Sequence, residues 1–294
     1  MLYDCAEILA KKKTIDFGYA HLFSSMCNHI GIQNAVVKGF GRIDSTQIQK
    51  PNHTWVAFKL HNKWYIADPS CDSDIYHTGY KTEQKSRYVY LMGDPKIFLT
   101  LHFPIDPLWQ LRPSIISLKD WNAFTFNSNT GDIAFNYIDS LKNYDNIAIE
   151  KNFLASLNRV IQNKELAYIA HYEYCSFFSQ LLDEEIAKYL NINRQLNSGN
   201  KNIEEMARKL LPRKKELFDR LLRIESYVTK FNYHGQKLSE VQYPSKFNSI
   251  IAGTISYSKE ETNRINHFLV YERNSLKETI KELEPYQKKT ASKK

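Results

Sequence analysis

The chain has 294 residues, of which 43% are hydrophobic and 24% charged, and its formal net charge is +8. That composition can build one large domain or two modest ones and excludes a disordered or fibrous chain. The positive charge favours acidic surfaces, but no zinc-finger spacing, phosphate-binding loop or other nucleic-acid motif accompanies it, so nucleic acid is not an expected partner.

Between Asp16 and Ile30 the residues Phe17, Ala20, Phe23, Met26, Cys27 and Ile30 recur at helical spacing, and Gly31 supplies a stop. This predicts an amphipathic helix. Three runs rich in β-branched and aromatic residues follow, Gln33–Phe40, His53–Leu60 and Lys63–Ala67, and read as strands. Leu60-His61-Asn62-Lys63 joins the last two tightly enough for a hairpin, and Tyr88–Leu91 adds a further strand. Residues 1–113 therefore read as α+β, a helix packed on an antiparallel sheet.

Past Trp109-Gln110-Leu111-Arg112-Pro113 the texture changes to a polar stretch around Asn127–Thr130 and then to long helical patterns. Phe135–Asp145, Ala148–Gln162, Leu166–Leu190, Ile203–Phe231 and Lys259–Leu283 space their apolar residues among charges, and Pro212 should kink or split the fourth. The expected organisation is a first domain at 1–113, a linker at 114–134, an all-helical region at 135–287 and a disordered basic tail at 288–294. No apolar run approaches the ~20 residues of a membrane span, and Met1–Ala10 is too short and mixed for a signal peptide. As it stands the chain reads as cytoplasmic; an upstream export signal would make it exported. Cys5, Cys27, Cys71 and Cys175 are scattered, without paired spacing, and read as free thiols.

Three short stretches carry the chemistry. Asp16-Phe17-Gly18-Tyr19-Ala20 opens a helix, His53-Thr54-Trp55 opens a strand, and Trp64-Tyr65-Ile66-Ala67-Asp68-Pro69 ends the next. In order and spacing they resemble the transglutaminase-like superfamily, whose motifs read Gly-x-Cys-x-Gly-Tyr-Ala, His-Ala-Trp, and Trp-Tyr followed by an aspartate. His102-Phe103-Pro104 and Asp106-Pro107-Leu108-Trp109-Gln110-Leu111 resemble the close of the branch that includes kyphoscoliosis peptidase and fungal cytokinesis proteins. The resemblance covers residues 4–113 and implies a papain/transglutaminase-like core with a Cys-His-Asp triad. In such a triad a thiolate at a helix N-terminus is stabilised by the helix dipole, histidine takes its proton, and aspartate orients the imidazole.

His53 and Asp68 match two of those roles, whereas Asp16 stands at the nucleophile position and Thr14 at the preceding glycine. A carboxylate of reference pKa ~3.9 is a far weaker nucleophile than a thiolate, and its attack on an amide would pass through an unstable anhydride. Asp16 reads instead as an N-cap suited to the helix dipole, with His53 as its ion-pair partner. Cys27 lies roughly 16 Å along the same helix and is not a substitute. Cys71, just past the Asp68 strand, is a weaker candidate. Few residues precede the nucleophile motif, which reads as an N-terminally truncated domain.

The implied function is that of a catalytically inactive transglutaminase-like protein, acting as a binding or scaffold module for an unidentified protein partner. No cofactor is expected. The alternative is an enzyme, either a cysteine-type peptidase or transglutaminase-like activity, or a metal-assisted hydrolase using Asp16, His53 and Asp68. Trp55, Trp64, Tyr65 and Trp109 read as core packing, and His21, His29 and His102 as surface or satisfied core residues. The charge run Lys214–Arg223 reads as a solvated helix face.

Overall fold

The computed structural model describes residues 4–42, 51–77, 90–125, 133–142, 144, 147–197 and 202–291. They fall into two compact units, Met1–Leu166 and Ala167–Lys294.

In the first unit α1 (Cys5–Lys11) begins at Asp4, whose carboxylate accepts the Ala6 N–H at 2.9 Å. The predicted amphipathic helix is α2 (Asp16–His29), which ends one residue earlier than expected. Gly31 stops it by taking a φ of 73°. The Ile32 and Gly31 amides then donate back to the Cys27 and Asn28 carbonyls, at 2.8 and 3.2 Å, and satisfy the last turn.

The strands β1 (Asn34–Gly41), β2 (His53–Leu60) and β3 (Lys63–Ala67) form where the branched and aromatic runs predicted them. After α3 (Pro69–His77) come β4 (Leu91–Gly93), α4 (Pro95–Phe98) and β5 (His102–Pro104). The sheet is antiparallel throughout, in the order β4-β3-β2-β1-β5. The β2–β3 turn is the expected two-residue hairpin, with His61 and Asn62 both left-handed at φ 47° and 63°. The expected strand at Tyr88–Leu91 is met by β4 only at Leu91; residues 88–89 lie outside the described residues, as does Asn127–Thr130.

Central β2 is buried from His53 to Phe58 because both faces of the sheet are covered. On one face Cys27, Phe58 and Ala67 pack with Phe23 of α2. On the other, Ala35, Val37, Trp55, Ala57 and Ile66 pack with Phe98, Leu108 and Trp109. Trp55 and Trp109 are buried, and Trp64 meets Trp109 edge-on at 5.2 Å, so these aromatics are core.

A single helical turn at Pro107–Gln110 leads to β6 (Ser114–Ile115), α5 (Leu118–Asn122), β7 (Ile133–Ala134), α6 (Tyr137–Lys142) and α7 (Ile149–Ile161). β6 and β7 pair as a small second sheet. Leu141, Tyr137 and Tyr144 pack into the cluster containing Trp109. That packing places the division of the chain at Leu166, downstream of the 114–134 segment suggested by the change in texture.

The second unit contains α8 (Ala167–Asn197), α9 (Ile203–Leu210), α10 (Lys214–Lys237) and α11 (Asn248–Ala291). Pro212 splits the fourth predicted helix by sitting in a single tight turn, Leu211–Arg213, between α9 and α10. Residues 288–291 continue α11 rather than starting a disordered tail, while 292–294 lie outside the described residues. Leu182, Leu217, Leu221, Ile224 and Phe231 are almost fully buried, as amphipathic helices packed on one another require. The Lys214–Arg223 run is not wholly solvated. Arg220 and Arg223 converge on the buried Glu185 carboxylate, at 2.7 and 3.0 Å. Among the described residues no helix is long and apolar enough to cross a membrane.

Candidate functional site

Asp68 follows the last residue of β3, and its side chain is completely buried. One carboxylate oxygen, Oδ1, accepts the Ser70 and Cys71 amides at 3.0 and 3.1 Å and the Ser70 hydroxyl at 2.6 Å. It thereby satisfies the first orphan donors of α3. The other oxygen, Oδ2, faces His53 Nε2 at 2.5 Å and His102 Nε2 at 2.8 Å.

His53 is the first residue of β2, and its Nδ1 lies 3.5 Å from Asp16 Oδ2. The fold thus brings Asp16, His53 and Asp68 together in a line, with imidazole between the carboxylates. Asp16 is the first residue inside α2 and does not cap it. Ile15 holds the cap position and offers no side-chain acceptor, so the expected N-cap bond is absent while the favourable charge in the first turn remains.

Two further side chains reach the same point. His102, on β5, is buried, stacks on Phe98 with centroids 4.0 Å apart, and sets its Nδ1 3.3 Å from the Phe98 carbonyl oxygen. Cys71, in the first turn of α3, places Sγ 3.8 Å from His53 Nε2. Sequence spacing gave no reason to join His102 to the group, because the pairing of β5 with β1 is a tertiary event. By contrast, His29 is exposed and His21 stacks beside Phe17.

Gly41 ends β1 against this cluster. A Cβ there would stand 2.9 Å from both Cβ and Cγ of His53, so the histidine ring occupies the space a side chain would need. A cavity of about 470 Å³ opens beside the group, lined by Thr14, Asp16, Tyr19, His53, Cys71 and His102 among others.

Burial alone would drive the His53 imidazole to its neutral form. Hydrogen bonds donated to Asp16 and Asp68, the Cys71 contact and the Asp68 charge outweigh it and raise the pKa to about 11. Burial likewise opposes ionisation of Asp68, but the two imidazoles hold its carboxyl well below the usual carboxylate range. Asp16 is also lowered: burial pushes it up, and hydrogen bonds with His53, the Phe17 amide and Thr54 prevail. Burial pushes Cys71 up to about 11, the nearby Asp68 charge adding to the rise against the opposing pull of His53. Cys71 is therefore a thiol near neutral pH. Cys27 is buried in the apolar cluster and is also raised by burial, which makes it inert.

A strand-borne histidine held between a helix N-terminus and a buried aspartate, on an antiparallel sheet, is the frame of a papain-like α+β core. The sequence model of the Transglutaminase-like superfamily matches residues 2–69, so this part of the chain is similar to that superfamily. Kyphoscoliosis peptidase of Mus musculus is 30% identical over 132 residues, which cover 42% of this chain and 20% of the mouse protein. Kyphoscoliosis peptidase of Homo sapiens is 30% identical over 124 residues, or 39% of this chain and 18% of the human protein. The Lim and transglutaminase domain protein ltd-1 of Caenorhabditis elegans is 27% identical over 180 residues, or 55% of this chain and 25% of its own length. The matches thus span a quarter or less of each relative.

Proposed function

We propose that the chain is a transglutaminase-like protein without thiol catalysis, which acts by binding a protein partner or as a scaffold. The observation that carries this reading is the 3.5 Å approach of Asp16 Oδ2 to His53 Nδ1. Asp16 occupies the start of the helix, where a nucleophile would receive the dipole and hand its proton to histidine. A carboxylate there forms an ion pair with His53 in place of a thiolate–imidazolium pair. It has no thiol proton to transfer and cannot form a thioester.

Wild-type protein, Asp16→Cys and His53→Ala are compared in amine-incorporation and peptide-hydrolysis screens. The expected result is an inert wild type and an active Asp16→Cys, whose new thiol is alkylated by iodoacetamide faster than any native one. Wild-type turnover abolished by His53→Ala would overturn the reading.

One observation favours a second reading: Cys71 Sγ lies 3.8 Å from His53 Nε2, within reach of a thiol hydrolase arrangement. The word peptidase in the names of the mouse and human relatives supplies a peptide substrate class for it. Against it, Nε2 is already engaged by Asp68 and the thiol holds its proton. Cys71→Ser separates the two, because only a Cys71 enzyme would lose turnover.

A further inference from the structure

We propose that His53, Asp68, Cys71 and His102 form a closed zinc-binding site. One donor atom from each, two imidazole nitrogens, a carboxylate oxygen and a thiol sulfur, lies within 4.8 Å of all the others. They come from β2, the end of β3, α3 and β5, so regular structure sets their positions. Two nitrogens, one oxygen and one sulfur suit Zn²⁺, whereas Ca²⁺ and Mg²⁺ require oxygen-rich shells.

The outward-facing atoms of the four groups give independent support. His53 turns Nδ1 toward the Asp16 carboxylate at 3.5 Å, and His102 turns Nδ1 toward the Phe98 carbonyl at 3.3 Å. Asp68 spends Oδ1 on the start of α3 and keeps Oδ2 at the centre. Zinc-binding histidines orient themselves in this way, giving the second ring N–H to a carboxylate or carbonyl and the free nitrogen to the metal. The tautomer of His102 adds to the case. A neutral imidazole has one N–H, yet both ring nitrogens face acceptors. A cation at Nε2 lets the single N–H go to Phe98 and removes the conflict.

The spacing is close to what zinc needs. Tetrahedral donors at about 2.0–2.3 Å from the metal stand roughly 3.3–3.8 Å apart. Cys71 and His53 are at 3.8 Å already. The contacts of Asp68 with His53 and His102, at 2.5 and 2.8 Å, would widen on loading, as the metal displaces the His53 Nε2 proton and the Cys71 thiol proton to solvent. His53, Cys71 and His102 line the cavity, which gives an ion a route in. Four protein donors leave no position for a reactive water, so the site is structural; because zinc on Nε2 keeps the His53 proton on Nδ1, the Asp16→Cys assay is run on chelator-stripped protein, and its outcome leaves the metal titration untouched.

The full chain, without a histidine tag, is stripped with chelator and titrated separately with Zn²⁺ and Co²⁺. The expected result is one equivalent bound per chain. The Co²⁺ form should have tetrahedral visible absorption and a sulfur-to-cobalt charge-transfer band. Cys71→Ser should remove that band, and Asp16→Asn, which alters the partner of His53 Nδ1 and none of the four donors, should weaken Zn²⁺ binding by about 10–100-fold. No stoichiometric uptake by wild type overturns the proposal, as does a charge-transfer band that survives in Cys71→Ser. If Cys71→Ser fails to fold, X-ray absorption of wild type loaded with Zn²⁺ decides: one sulfur in the shell supports the site, and none overturns it.

Discussion

Arg159 of α7 donates through Nε and Nη2 to the two carboxylate oxygens of Asp106, at 2.8 and 2.7 Å. Asp106 is buried and also accepts the Leu108 amide at 3.0 Å, starting the turn that follows β5. One paired carboxylate therefore fastens a helix and a turn to the edge of the sheet. Arg159→Met should lower unfolding stability by about 3–5 kcal/mol, because the carboxylate stays buried after losing its cation. Urea denaturation measures this, and an unchanged midpoint would refute it.

The β2–β3 hairpin depends on two exposed residues with positive φ. Asn62 at 63° adopts the left-handed region as asparagine does, and glycine would do so freely. Asn62→Gly should change stability by a few tenths of a kcal/mol, while Asn62→Val should cost about 1–2 kcal/mol. Since the site is solvent-facing, a thermal melt reads backbone strain without a packing contribution.

Gly41 tests how tightly the site is seated. Gly41→Ala places a methyl group 2.9 Å from His53, so the ring must shift or the strand must yield, at about 1–3 kcal/mol. The His53 ring-proton resonances in NMR should move in this variant, and unmoved resonances would mean that the strand absorbs the change.

The helical unit has its own acid sensitivity. His171 and His234 face each other through Nδ1 at 2.9 Å, and His234 stacks on Tyr174. Burial, with the charges of His171 and Lys230, lowers His234 to about 4, against 6.5 for the free group. Between those values the unfolded chain binds more protons than the folded one. The contribution is fully present above pH 6.5 and is lost as pH falls toward 4. A fall of that size is worth about 3 kcal/mol for a group fully shielded from water, and solvent screening should reduce the loss over that window to roughly 2 kcal/mol. His234→Phe should flatten the dependence of melting temperature on pH, leaving the smaller slope of His171, which burial and Lys237 also lower. An unaltered slope would assign the effect elsewhere.

The long elements were legible because their patterns are local. Helix α2 announces itself by spacing and by Gly31, β2 and β3 by branched and aromatic runs, and the break at Pro212 by its ring. Strand β5 was missed because it is three residues long, ends in proline and lies at a sheet edge, with no alternation to detect. Helix α3 was missed because its Ser-Cys-Asp-Ser-Asp sequence has little intrinsic helicity. It starts where Asp68 caps it. At the site, the order of motifs marked Asp16, His53 and Asp68. The arrival of His102 depends on which strand lies beside β1, which no short spacing encodes. The same holds for α6 and α7, whose attachment runs through Leu141 and Arg159.

Asp68 answers to two demands through two oxygens. One begins a helix and the other gathers two rings, so removing the carboxylate would loosen α3 and the meeting of β2 with β5 whatever the chemistry at position 16. Asp16 is more open and, although it meets His53, the Phe17 amide and Thr54, it gathers no second ring and starts no other helix. Substitution at position 16 should therefore cost folding little, whereas the histidine–aspartate pair is part of the architecture that joins three elements of this chain.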